Sequence, residues 1–230
     1  MILAALATLA LSTTQVTPIQ FVVSEVGTAQ HNDSYILPLT DPTHIRLARD
    51  KVYYGPGLDK IVVCQIAAGS DGMNRDVKAP GEPLWSWHVT EFLGFAELTA
   101  EVMDGWPGLV ESNVQGYVQS GIGFWTYSVT EELGAGPSAP PPNAPTNASV
   151  GKASGGARVT WQDKSNNEEG FEVERQKSTF GIWSTQALLT LPPNTTTVND
   201  APGKGTFRYR VRSFTINGSS TWGTTKNIKL

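Results

Sequence analysis

From Ala157 onward the chain alternates between apolar and polar side chains with a period of two. The stretch "ARVTWQD" puts Val159 and Trp161 on one face. In "GFEVERQ", Phe171 and Val173 oppose Glu172 and Glu174. In "TFRYRVRSF", Phe207, Tyr209 and Val211 oppose Arg208, Arg210 and Arg212. Such alternation marks strands with one face in a core and one in water. Turn-forming stretches ("KSNNEEG", "PPN", "APGKG", "INGSS") separate the runs. About seven short strands in roughly 90 residues predict an all-β sandwich.

Upstream the periods are mixed. "QFVVSEV", "DSYILPL", "KIVVCQIAAG", "WSWHV" and "IGFWTYSVTEEL" read as strands. "AELTAEVMDG" fits either period and is assigned to a strand. "TDPTHIRLARDKVYYG" reads as a helix capped by Thr40 or Asp41, with Pro42 where a missing N–H costs nothing. Ile45, Ala48 and Val52 give that helix one apolar stripe. A second helical period runs through Leu109, Val110, Val114 and Val118. The expected class is α+β: a small antiparallel sheet with two helices packed on it.

Between these parts lies "GAGPSAPPPNAPTNAS", which prefers polyproline II and cannot build a core. The expected organisation is an α+β domain over 19–134, a semi-rigid Pro-rich linker over 135–144, and the sandwich over 145–230. Residues 1–18 are expected to be a signal peptide or a frayed N-terminus. The apolar run Ile2–Leu11 followed by Ser12 fits an export signal. It is about half the ~20 residues needed to cross a bilayer, and no later stretch is apolar enough to do so. A secreted protein with no membrane span is expected.

Charge sharpens this division. Residues 1–134 carry 6 Lys+Arg against 15 Asp+Glu, and residues 135–230 carry 11 against 6. An acidic first half without a basic run argues against nucleic acid as its partner. Opposite signs on the two halves favour their docking, less so in salt. The arginine triplet has two readings. It is a basic stripe for an anionic polymer, or it pairs across the sheet with Glu172 and Glu174, each pair contributing ~0.2–1 kcal/mol. The second is preferred. The single cysteine, Cys64, sits in an apolar run and reads as a core residue; no intrachain disulfide is possible.

The stretch "VTWQDKSNNEEGFEVER", with "GKGTFRYRVRSFTINGSSTW", resembles a fibronectin type III domain of the bacterial secreted kind. The resemblance implies that Trp161 is the core tryptophan of the second strand and Tyr209 the buried tyrosine of the penultimate strand. There is no Arg-Gly-Asp tripeptide, so integrin binding does not carry over. The order "LPLTDPTHIRLARDKV", "LWSWHVTEF", "EVMDGWPGLVE", "IGFWTY" resembles the N-terminal domain family named after a slime-mould calmodulin-binding protein, over about residues 30–134. Some relatives carry cysteines where this chain has Met103 and Phe124. The family resemblance supplies a fold and no settled chemistry. Calmodulin binding does not transfer, because the long basic amphipathic helix of such targets is missing.

Candidate chemistry concentrates in Ala67–Glu91. On a strand, Trp85, Trp87 and Val89 share one face, and Ser86, His88 and Thr90 the other. The indoles are expected inside, the alternative being an exposed platform for sugar rings or a protein partner. Ser86 and His88 stand roughly 6.6–6.8 Å apart along a strand, too far for a nucleophile and its base at about 2.6–3.2 Å. The polar loop "AAGSDGMNRDVKAPGEP" offers oxygen ligands of the type calcium prefers, at Asp71, Asn74, Asp76 and Glu82, without EF-hand spacing. The ordinary reading is a long turn reversing at Asp71-Gly72. A binding site formed by Asp71, Asn74, Arg75, Asp76, Trp85, Trp87 and His88 is expected, with no catalytic residue, metal or cofactor assigned. The expected function is non-enzymatic binding of an extracellular protein or polysaccharide, the fibronectin-like unit serving as spacer or second contact. The alternatives are an extracellular hydrolase using two of Asp71, Asp76, Glu82 and Glu91, and a protease inhibitor presenting the 69–83 loop.

Overall fold

The computed structural model describes residues 16–27, 30, 31, 33–97 and 105–230. The apolar start up to residue 15, the strand expected over 98–104 and Met103 lie outside them. In chain order the first domain comprises β1 (Ile19–Glu25), β2 (Ser34–Leu39), α1 (Pro42–Tyr54), β3 (Ile61–Ala68), β4 (Trp87–Ala96), α2 (Pro107–Ser112), α3 (Val114–Ser120) and β5 (Tyr127–Glu132). The expected single sheet is two. One is antiparallel with order β2-β1-β5; the other is the pair β3-β4, joined to the rest by a bridge between Cys64 and Ile122. The second expected helix is likewise two short ones, broken at Asn113, whose side chain accepts from Gly116 N–H.

The core of this domain gathers Phe21, Tyr35, Leu37, Val62, Cys64, Trp85, Trp87 and Phe124 from both sheets. Helix α1 adds Ile45 and Ala48. Asp41 caps it, its carboxylate accepting from His44 N–H at 2.9 Å. Val52, expected on the same stripe, is instead 39% exposed. The difference has a physical cause: α1 buries a second, polar face. Arg46, Arg49 and Lys51 are all buried, against partners supplied by other elements.

The second domain comprises β6 (Thr146–Ala153), β7 (Gly156–Gln162), β8 (Gly170–Thr179), β9 (Ile182–Leu191), β10 (Thr197–Asp200), β11 (Thr206–Thr215), β12 (Gly218–Ser219), β13 (Gly223–Thr224) and β14 (Ile228–Lys229). Sheet β10-β7-β6 faces sheet β12-β11-β8-β9, with β13 and β14 also on β11. This is a fibronectin type III-like sandwich. Trp161, Phe171, Val173, Phe207, Tyr209 and Val211 form its core, as the alternation requires. Tyr209 donates its hydroxyl to Asp200 at 2.8 Å, and Asp200 also accepts from Arg175 at 2.9 Å. The arginines pair across β8-β11. Arg210 reaches Glu174 at 2.7 Å, Arg212 reaches Glu172 at 2.7 Å, and Arg208 donates to Gln176 at 2.6 Å.

The two domains touch. The Pro-rich segment does not hold them apart: the backbone carbonyl of Asn143 accepts from Ser213 Oγ on β11 at 2.7 Å, and α1 lies against β12. Among the described residues no helix is long and apolar enough to cross a membrane.

Candidate functional site

The 69–83 loop and the start of β4 are tied together from within. Asp71 spends one carboxylate oxygen on the N–H groups of Met73 and Asn74, at 3.0 and 2.8 Å. Asn74 is fully buried; its amide oxygen accepts from Ile36 N–H on β2 at 2.9 Å, and its amide nitrogen donates to the Trp87 carbonyl on β4 at 3.0 Å. One side chain thereby stitches the two sheets of the domain. Arg75 lies 3.9 Å over the Trp85 ring and donates to Asp33. Trp85 donates its indole N–H to the Ser34 carbonyl at 2.8 Å. Trp85 and Trp87 stack on each other and are buried, so neither ring offers a face to a ligand. His88 meets the Gly69 carbonyl at 2.8 Å. Asp76 stays on the surface.

The seven residues singled out from the sequence therefore share one corner of the domain. Asn74, Trp85 and Trp87 are its scaffolding there, and Arg75 clamps it. Among the described residues no three acidic, histidine or cysteine side chains converge to hold a metal ion. Burial pushes the Cys64 thiol well above its ordinary range, so it stays protonated and unreactive.

A different set of side chains meets at the domain boundary. Arg46 donates to both oxygens of Glu172, the shorter bond 2.6 Å, and to Ser219 Oγ at 2.5 Å, while its guanidinium lies 4.8 Å from the Phe214 ring centre. Arg49 is bidentate to Glu132 of its own domain and donates to the Ile216 carbonyl of the other at 2.9 Å. Asp50 accepts from Ser219 N–H at 2.5 Å and faces Arg212 at 3.5 Å. Tyr54 donates its hydroxyl to the Ser219 carbonyl at 2.9 Å. Burial raises Asp50 above the ordinary carboxylate range, against the opposing pull of Ser219 N–H and Arg212. These residues escaped the sequence reading because each resembles an ordinary exposed helix charge. Their partners lie far along the chain, and the one available signal was the opposite charge of the two halves.

Beside this network a cleft of about 660 Å³ opens between the domains. Tyr54, Leu58 and Phe95 line it from the first domain, and Thr185, Arg210 and Trp222 from the second. Arg210 and Arg212 stand 4.8 and 4.4 Å from the Trp222 ring centre. Lys51 lies 4.4 Å over Phe95 and reaches Asp59 at 3.0 Å. Aromatic faces, cations and paired carboxylates thus alternate around the opening.

The family model for the N-terminal domain named after the slime-mould calmodulin-binding protein matches residues 20–136. The chain belongs to that family. The matched span runs from β1 to just past β5, so the family's domain is the whole first unit, including α1 and the loop stitched by Asn74. No curated protein matches the chain. Solved structures similar to it include a titin kinase with its flanking domains, at 20% identity and TM-score 0.32, over 39% of this chain and 17% of that one. A Fn3-like protein from Clostridium thermocellum is 23% identical at TM-score 0.28, over 39% of this chain and 96% of that one. A β-1,2-glucanase from Parabacteroides distasonis is 13% identical at TM-score 0.32, over 93% of this chain and 28% of that one. The similarity thus extends over under a fifth of the titin kinase structure. A domain of this N-terminal family joined to a fibronectin-like unit has the make-up of a binding or accessory module.

Proposed function

We propose that the chain is a secreted, non-enzymatic binding protein whose extracellular ligand lies in the cleft between its domains. The observation that carries this reading is that both domains line one opening, beside a buried ionic network that holds its walls in place. Ligand sites are concave, largely preformed, and often lie at domain boundaries. Export is supported by the apolar run Ile2–Leu11 ending in small residues.

The chemistry of the lining favours a polysaccharide over a protein segment. Tyr54 and Trp222 provide rings against which sugar faces pack. The ion-paired carboxylates and guanidinium groups offer donors and acceptors for hydroxyls. Those acids are committed: Asp50 to Ser219 N–H and Arg212, Asp59 to Lys51, Glu174 to Arg210. An acid held in such a pair is poorly placed to pass a proton to a leaving group, which favours binding over hydrolysis.

The test is a glycan array probed with the full chain and with Trp222→Ala and Leu58→Asp, each checked for folding by circular dichroism. Leu58 is 83% exposed at the cleft mouth, so its replacement spares the fold. Retention of at least one glycan class by the wild type, weakened at least tenfold in both variants, is the expected result. Absence of glycan binding, or turnover of the bound polysaccharide, would overturn the reading.

A further inference from the structure

The hairpin joining β8 to β9 ends in a two-residue turn. Thr179 pairs with Ile182, leaving Phe180 and Gly181 at the tip with φ of 53° and 84°. Two successive positive φ values define the type I′ turn, a conformation that favours Asn-Gly because a bulky side chain is disfavoured in the left-handed region. Phenylalanine is a poor choice for the turn itself. It gains nothing from packing either, since Phe180 is completely exposed and the adjoining Ile182 is 73% exposed. An apolar point is therefore built at a local cost to the backbone and used by nothing within the molecule.

Its position is defined by the strands. Domain docking uses the other end of β8, at Glu172, roughly 25 Å away along the strand. At the end occupied by Phe180, the sandwich also gathers the β6–β7 turn, the 201–205 loop and β14. These bring Lys152, Lys177, Lys204 and Lys229 to one pole. Asp200, which also lies there, is neutralised by Arg175. Just behind the tip, Arg208 stands 4.5 Å from the Trp183 ring centre. The pole thus has an apolar apex, an aromatic-cation pair behind it, and a lysine rim.

We propose that this pole docks on an anionic phospholipid surface. Phe180 and Ile182 would enter the acyl boundary, Trp183 would sit at headgroup depth, and the lysines would meet the phosphates. Apolar insertion and basic attraction are individually marginal, and stable membrane association comes from combining the two. Trp at the interface is the usual companion of such contacts. The charge complementarity selects an anionic bilayer over a neutral one. This site is separate from the interdomain cleft and does not depend on what binds there.

The experiment is co-sedimentation of the full chain with phosphatidylcholine vesicles and with vesicles of phosphatidylcholine and phosphatidylglycerol at a ratio of about 3:1, an anionic fraction high enough for basic attraction to register. The variants are Phe180→Asn, which suits the type I′ turn better than the native residue, and Lys204→Glu. Wild type is expected to sediment with the anionic vesicles and not the neutral ones, with a blue shift in tryptophan emission. Phe180→Asn is expected to weaken binding at least tenfold while folding at least as well as wild type. Lys204→Glu and added salt are expected to weaken it several-fold. Failure of the wild type to bind anionic vesicles overturns the proposal, as does equal binding by Phe180→Asn. Binding to soluble heparin that ignores Phe180 and exceeds binding to the vesicles would assign the pole to anionic polymers instead and overturn it too. Because Phe180 does not line the cleft, none of these outcomes bears on glycan binding.

Discussion

Arg46 and Glu172 meet across the domain boundary at 2.6 Å, both buried, although 126 residues separate them in the chain. Glu172 also holds Arg212 at 2.7 Å, so one carboxylate neutralises a guanidinium from each domain. Truncating one side of a buried pair leaves the other charged and desolvated, at a cost of about 3–5 kcal/mol. Glu172→Ala strands two arginines and is expected to reach that range in urea denaturation. Arg46→Ala leaves Glu172 still paired with Arg212 and is expected to cost less. Equal costs would show that the interdomain half of the pair carries the energy.

Asp50 provides a prediction with a pH signature. Its carboxyl is raised in the folded protein, first by burial. A raised acid favours the protonated folded form, so its ionisation costs stability as pH climbs out of the ordinary aspartate range, and the cost is complete above the folded pKa. Asp50→Asn keeps an acceptor for Ser219 N–H and removes the ionisation. The variant's melting temperature is expected to depend less on pH than that of wild type over the acid range, with its largest relative gain on the neutral side. Parallel pH profiles would refute this.

Asn74 is the next test. Replacing it with alanine leaves Ile36 N–H and the Trp87 carbonyl buried without partners, each worth about 1–3 kcal/mol. Asn74→Ala is expected to lower the urea midpoint accordingly. Asn74→Asp should not rescue it, because a carboxylate cannot donate to Trp87. Full rescue by aspartate would mean that the acceptor half of the stitch suffices.

Cys64 is fully buried and its thiol is raised by desolvation. Ellman's reagent is expected to leave the native chain unmodified for hours and to titrate one thiol promptly in urea. Prompt reaction without denaturant would place the residue nearer the surface.

The sandwich was the most legible part of the sequence because each strand is half-buried, and a one-residue slip would turn Phe207, Tyr209 and Val211 outward. Cross-strand neutralisation of Arg210 and Arg212 was legible for the same reason. The inward indoles of Trp85 and Trp87 followed from strand alternation. Helix α1 was legible on one side only. Ile45 and Ala48 announce an apolar stripe, but Arg46, Arg49 and Asp50 look solvated until their distant partners are known. Asn74 was equally opaque, since its partners are backbone groups, which no side-chain pattern can reveal. The cleft inherits this opacity, because it belongs to neither domain alone.

The double-sided burial of α1 bears on how this architecture can change over generations. Fibronectin-like units usually pass between proteins as self-contained cassettes. Here a substituted cassette without the equivalents of Glu172 and Ser219 would leave Arg46 and Asp50 on the preceding helix with nothing to answer them. The pair is therefore constrained to travel and diverge together, as one heritable block.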